Sequence, residues 1–192
     1  MSNRLPETLS EEWLRQQGRR HLERYWPSEE QLRRVLRRRV DRFTTERGGP
    51  RAPGYGLAEK IIKEFLEQGA LNDVRFTKAW VESLDRRGDS RFRMRAKLRQ
   101  KGVSSEVIDE VVQSHDQATR DEGIDPVMAR AAATLKRRRL GPYRHDPQKR
   151  AERRDKDLGA LARAGFPYGV CKQLIDAESI EDVELLASGE LD

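Results

Sequence analysis

The segment RFRMRAKLRQKG, residues 91–102, alternates polar and apolar residues as a strand would, yet its chemistry is helical. It contains no β-branched residue and is built mainly of strong helix formers. Ser90 stands before it as an N-cap, and Gly102 follows as a C-terminal stop. At 100° per residue, Met94 and Leu98 form a narrow apolar seam. Arg91, Arg95 and Arg99 lie along one flank, and Arg93, Lys97 and Lys101 along the other, all pointing away from the seam. Other segments repeat this period. Val107, Ile108, Val111 and Val112 recur at helix spacing. Phe76, Ala79, Trp80, Ser83 and Leu84 do so behind an Asn72 cap, and Asp125-Pro126 opens a further helix. No segment has hairpin chemistry, so the expected fold is all-α.

The apolar positions also repeat over a longer distance. Leu98, Gly102, Val103, Val107, Val111 and Val112 are matched 63 residues later by Leu161, Gly165, Phe166, Val170, Leu174 and Ile175. A less regular copy comes first: Ser28, Leu32 and Leu36 correspond to Ser90, Met94 and Leu98, with Ser28 and Gln31 as a capping box. In that copy the stripe returns as Ile61, Ile62, Phe65 and Leu66. The pattern predicts tandem three-helix units over 8–71, 72–120 and 125–177, stacked as an elongated array. Four glycines and two prolines in TTERGGPRAPGYG predict a flexible loop inserted at 44–56. Cys171 falls where Ile108 and Ile62 fall in the other copies and reads as a small core residue rather than a nucleophile.

Charge changes the picture of partners. The chain of 192 residues has a net charge of +6, but its last segment, from Asp176 onward, holds seven acidic groups and no basic one. The preceding residues therefore carry 39 basic and 26 acidic groups, a net +13. A basic body with an acidic tail at 178–192 points to a polyanionic or acidic partner, with the tail as an internal competitor. The clusters expected to meet it are Arg91, Arg93, Arg95, Lys97, Arg99 and Lys101; then Lys136, Arg137, Arg138, Arg139 and Arg144; then Arg150, Arg153 and Arg154. Each arginine also has a plainer role as a solvated helix residue paired with neighbouring Glu or Asp. Phe92 and Tyr143 are candidates to stack on bases, though GPY at 141–143 reads better as a plug in a turn.

No metal-ligand spacing, phosphate loop or catalytic constellation is visible, so neither cofactor nor metal is expected and the chain does not read as an enzyme. The single cysteine excludes an intrachain disulfide, and no apolar stretch approaches a membrane span. A cytoplasmic monomer is the expectation.

GALNDVRFTKAWVES followed by RFRMRAKLRQKGVSSEVIDEVV resembles the RecX family of bacterial recombination regulators. Gly69, Leu71, Asp73, Arg75, Phe76, Trp80, Leu98, Arg99, Lys101 and Gly102 stand at positions of that family's motifs. Asp146-Pro147, Leu161, Gly165-Phe166 and Val170 are similar to its C-terminal segment. The chain departs from the family at 44–56, in its acidic tail, and at Ala164, where a second basic residue is common. The resemblance implies tandem three-helix repeats that lodge in the groove of the RecA–DNA filament and suppress its ATPase and strand exchange, with no catalytic residues. Two other readings are a general nucleic-acid-binding protein or transcription regulator, and a protein-interaction adaptor without affinity for nucleic acid.

Overall fold

The computed structural model describes residues 5–190, which form ten α-helices and one short 3-10 turn without a strand. In order they are α1 (Glu11–Tyr25), α2 (Glu29–Arg47), α3 (Arg51–Glu67), α4 (Asp73–Arg86), α5 (Arg91–Gln100), α6 (Ser105–Asp121), α7 (Pro126–Arg138), α8 (Pro147–Ala162), α9 (Tyr168–Asp176) and α10 (Ile180–Ser188). The helices start where the caps direct. The Ser28 hydroxyl and the Gln31 side chain form a reciprocal capping box on α2. Asn72 and Ser90 each accept the backbone N–H three residues on, and Asp125 accepts that of Val127 ahead of Pro126.

The chain divides into two compact units. One holds the chain up to Phe76 together with Arg99–Ser104; the other holds Thr77–Leu98 with everything from Ser105 onward. In the first unit, α1, α2 and α3 enclose Leu14, Leu32, Leu36, Val40, Ala58, Ile61, Ile62 and Phe65. In the second, α7 to α10 close around Leu135, Leu161, Phe166, Cys171, Leu174, Ile175 and Val183. Cys171 is fully buried, like Ile62 and Ile108 at the matching positions, and burial pushes its thiol pKa up.

Each unit contains the same joint. In the first, the Ser28 hydroxyl donates to the Lys101 carbonyl at 2.5 Å, and Gly102 (φ +82°) lies so close to Glu30 that a Cβ would meet that side chain at 2.3 Å. In the second, Ser90 donates to the Ala164 carbonyl, and a Cβ on Gly165 (φ +90°) would meet Phe92 at 2.8 Å. The helix-capping serine thus receives a turn that only glycine permits. This gives the 63-residue recurrence of Gly102 and Gly165 a physical reason.

Three expectations change. The loop at 44–56 shrinks to residues 48–50, because α2 runs on to Arg47 and α3 begins at Arg51. Pro53 sits in the first turn of α3, where no intrahelical N–H is required. Gly54 is buried, and a Cβ there would meet Val40 at 2.5 Å and Leu9 at 2.8 Å. The glycine that suggested flexibility allows close packing instead. The acidic tail is not a free segment over its described part: α10 carries its own capping box from Ser179 and Asp182, and Val183 is fully buried. Finally, Leu66 is exposed, and α4 buries Phe76, Thr77, Val81 and Leu84 rather than Ala79.

Candidate functional site

Thirteen of the fourteen basic residues singled out from the sequence fall into three groups, and Lys101 stands apart. In the first, a carboxylate already holds the charge. On α5, Arg91 Nε lies 2.8 Å from Asp116 and Arg95 Nε 2.7 Å from Asp109, both on α6, while Lys97 Nζ is 2.6 Å from Asp89. Asp116 and Asp89 are buried, so Arg91 and Lys97 are fastened to the protein interior despite their exposed stems. This corrects the expectation that both flanks of α5 are free to change. Lys136 pairs with Glu184 of α10 at 3.2 Å, and Arg154 grips Asp176 with two hydrogen bonds of 2.7 Å.

Arg144 makes a two-pronged bond to Asp157, each prong 2.6 Å, and the Gly141 N–H adds a third at 3.0 Å. Burial opposes the charge on Asp157, but the Arg144 fork and that N–H outweigh it and hold the carboxyl below its ordinary range. A depressed carboxyl contributes stability above the unfolded value, about 4, and the contribution is lost as pH falls through the folded value. Arg144→Ala should therefore cost about 2 kcal/mol at neutral pH, the scale of a charged hydrogen bond. Urea titrations of parent and variant should draw together below the unfolded value and converge once pH has fallen through the lower, folded value. A constant difference at all pH values would assign the loss to packing.

In the second group, backbone carbonyls hold the guanidinium. Arg137 donates to the Arg87 carbonyl, Arg138 to that of Ala160 at 3.3 Å, and Arg150 to those of Ala177 and Glu178. These groups stitch helix ends together, yet keep a net charge. The third group is Arg93, Arg99, Arg139 and Arg153, for which no ion pair is present among the described residues. Lys101 engages in a side-chain or backbone interaction of its own, including the carbonyl that accepts from Ser28. Of the aromatic candidates, Phe92 is 67% exposed, whereas Tyr143 packs against the α7–α10 core beside the buried Gly141 and Pro142.

The motif residues at 69–76 mostly hold the first unit together. Leu71 and Phe76 are buried. Asp73 accepts the Glu29 N–H at 2.8 Å, supplying an acceptor to the N-terminal turn of α2, and burial raises its pKa. Arg75 is the exception, its guanidinium standing 4.9 Å from the ring centroid of Trp26.

Helices α1 to α3 contribute no candidate from the sequence, but the structure gathers basic and aromatic side chains there. His21 of α1 shares a cleft with Val35, Arg38, Arg39 and Arg42 of α2. Burial and the neighbouring Arg38 and Arg39 guanidiniums push the His21 pKa below the ordinary histidine value. The His21 and Tyr25 rings lie 4.8 Å apart in a tilted contact, and both Tyr25 and Trp26 are more than half exposed. The signal in the sequence is the adjacent pair Tyr25-Trp26 at a helix end, followed by the RRR run at 37–39.

Among the described residues, no group of His, Cys, Asp and Glu side chains is placed to hold a metal ion, and no helix is long and apolar enough to cross a membrane.

Known proteins resemble this chain along most of its length. A family model described as the second three-helix domain of RecX matches residues 72–112, which contain α4, α5 and the first turns of α6. A regulatory protein RecX of Myxococcus xanthus is 36% identical over 172 residues, covering 90% of this chain and 89% of that protein. The RecX of Amycolatopsis mediterranei is 32% identical over 152 residues, covering 79% of this chain and 74% of its own. That of Agrobacterium fabrum is 27% identical over 180 residues, covering 93% and 90%. No solved structure matches the chain significantly. The extent and identity of the Myxococcus match, together with the three-helix domain recognised around α5, establish that the chain belongs to the RecX family of regulatory proteins.

Proposed function

We propose that this protein regulates the RecA recombinase in the cytoplasm, binding the RecA filament on DNA and lowering its ATPase, without catalytic chemistry of its own. The observation that supports it most is the family match centred on α5, a helix whose seam uses Met94 and Leu98 and whose Arg93 and Arg99 have no described ion pair. We read α1–α3, α4–α6 and α7–α9 as three successive repeats with boundaries near 8–71, 72–120 and 125–177, the last extended by α10. The uncommitted arginines would meet acidic groups on RecA or phosphates of the bound strand, so attraction is electrostatic and weakens with salt.

Cosedimentation with RecA filaments assembled on single-stranded DNA tests the partner. The protein should pellet with filaments, and less so as salt rises. Equal pelleting with bare DNA at matched salt would favour a general nucleic-acid-binding protein. Pelleting with neither would remove RecA as partner.

A further inference from the structure

Trp26 is a misfit in its own fold. It ends α1 in the left-handed region, φ +43°, a conformation that is strained for a bulky side chain. In the serine alignment, Ser28 with Ser90, Trp26 corresponds to Gly88, whose φ is +69°. Glycine suits that position: a Cβ on Gly88 would lie 2.5 Å from the Arg130 carbonyl, and the Gly88 carbonyl accepts from Thr134. The first unit places a tryptophan at the same kind of turn, leaves it 61% exposed, and opens a pocket beside it with Leu22, Gly69, Asn72, Arg75 and Phe76 in its walls. Strain held at an exposed aromatic residue calls for a use of the ring.

The surroundings indicate which use. Arg75 stands over Trp26 and Arg24 over Tyr25, at 4.9 and 5.2 Å from the ring centroids. Tyr25 in turn makes a tilted ring contact with His21, which leads into the cleft lined by Arg38, Arg39 and Arg42. Arg42 is shared with Glu46 at 2.8 Å, whereas Arg38 has no described ion pair. Exposed rings at the end of α1 and arginines in the cleft between α1 and α2 supply the two components of single-strand binding: stacking for bases and cations for phosphates.

We propose that the C-terminal end of α1 and the Arg38–Arg42 turn of α2 form a binding site for a single strand of nucleic acid, with Trp26 as the stacking platform and Arg38, Arg39 and Arg42 along the phosphate track. A duplex offers its phosphates but not its base faces, so it cannot use Trp26 in this way. A bound phosphate would offset the part of the His21 depression due to Arg38 and Arg39, while the larger part, due to burial, would remain. The inference does not depend on the RecA reading: either can fail while the other stands.

The test measures anisotropy of a fluorescent oligo-dT, with a hairpin duplex and phosphatidylserine vesicles as comparisons. Trp26→Gly should weaken oligo-dT binding about tenfold, within the range of one lost stacking contact. Its melting temperature should be no lower than the parent's, since glycine relieves the backbone strain. Trp26→Phe should retain most of the affinity. Arg38→Gln with Arg42→Gln should reduce the logarithmic salt slope by about 0.7 per arginine removed. Oligo-dT binding unchanged in Trp26→Gly would overturn the proposal, and so would an equal loss for the duplex. Vesicles that displace oligo-dT from the parent but not from Trp26→Gly would overturn it in favour of a membrane surface.

Discussion

Arg130→Met should lower the unfolding free energy by about 3–5 kcal/mol, the scale of breaking a buried ion pair by removing one partner. Arg130 of α7 is 2% exposed and is held between Asp85 of α4 and Asp116 of α6. Burial works against its charge, but the hydrogen bonds it donates to the two carboxylates outweigh that and keep the guanidinium protonated. Without it, Asp116 remains fully buried with only the Arg91 guanidinium nearby, and Asp85 keeps His115 at 3.5 Å. One ion contact across the surface does not replace a buried fork. Adding Asp116→Leu to Arg130→Met should recover much of the loss, because an apolar pair of similar volume needs no compensating charge. Urea unfolding of parent, single and double variants measures both steps. A single variant within about 0.5 kcal/mol of the parent, the range of an ordinary surface change, would mean that the network is solvated and weak.

The parts of this molecule that could be read from the sequence are those set by local spacing. Ser28 with Gln31, Asp125 with Pro126, and the stripe ending in Val111 and Val112 each encode their helix within a few residues. The matching of Cys171 to Ile108 and Ile62 came from counting positions, and burial follows the count. What spacing did not convey is which groups on other helices a residue meets. Arg91 and Arg95 look like a free flank on a helical wheel, because the carboxylates that hold them, Asp116 and Asp109, lie on α6. The surplus of arginines on α5 is therefore smaller at the surface than in the sequence.

The Gly/Pro stretch at 44–56 misled for a related reason. Composition alone does not distinguish a glycine that loosens the chain from Gly54, which lets α3 approach Val40 and Leu9. The acidic end misled through charge: Ile180, Val183, Leu186 and Ala187 already have helix spacing, but the carboxylates among them suggested a solvated tail. Trp26 becomes conspicuous only when its turn is compared with that of Gly88.

Arg93→Glu with Arg99→Glu should strip most of the protein's proposed effect on RecA while leaving its fold intact. Neither side chain has a described ion pair, so no buried carboxylate loses its partner, unlike a change at Arg91. The reversal alters the surface charge by four units. Electrostatic attachment to a polyanionic filament falls steeply with each neutralised contact, so loss of inhibition by at least about tenfold is expected. Arg91→Glu is the informative contrast, since it should destabilise the protein by placing a second carboxylate against buried Asp116.

The decisive measurement for the proposed restraint of RecA is the RecA ATPase on single-stranded DNA, with the protein titrated in at physiological salt. Hydrolysis should fall at well below one molecule per RecA subunit, and the Arg93→Glu, Arg99→Glu variant, folded by circular dichroism, should leave hydrolysis near its starting rate. An ATPase unchanged by the parent protein at equal concentrations of protein and RecA would contradict it.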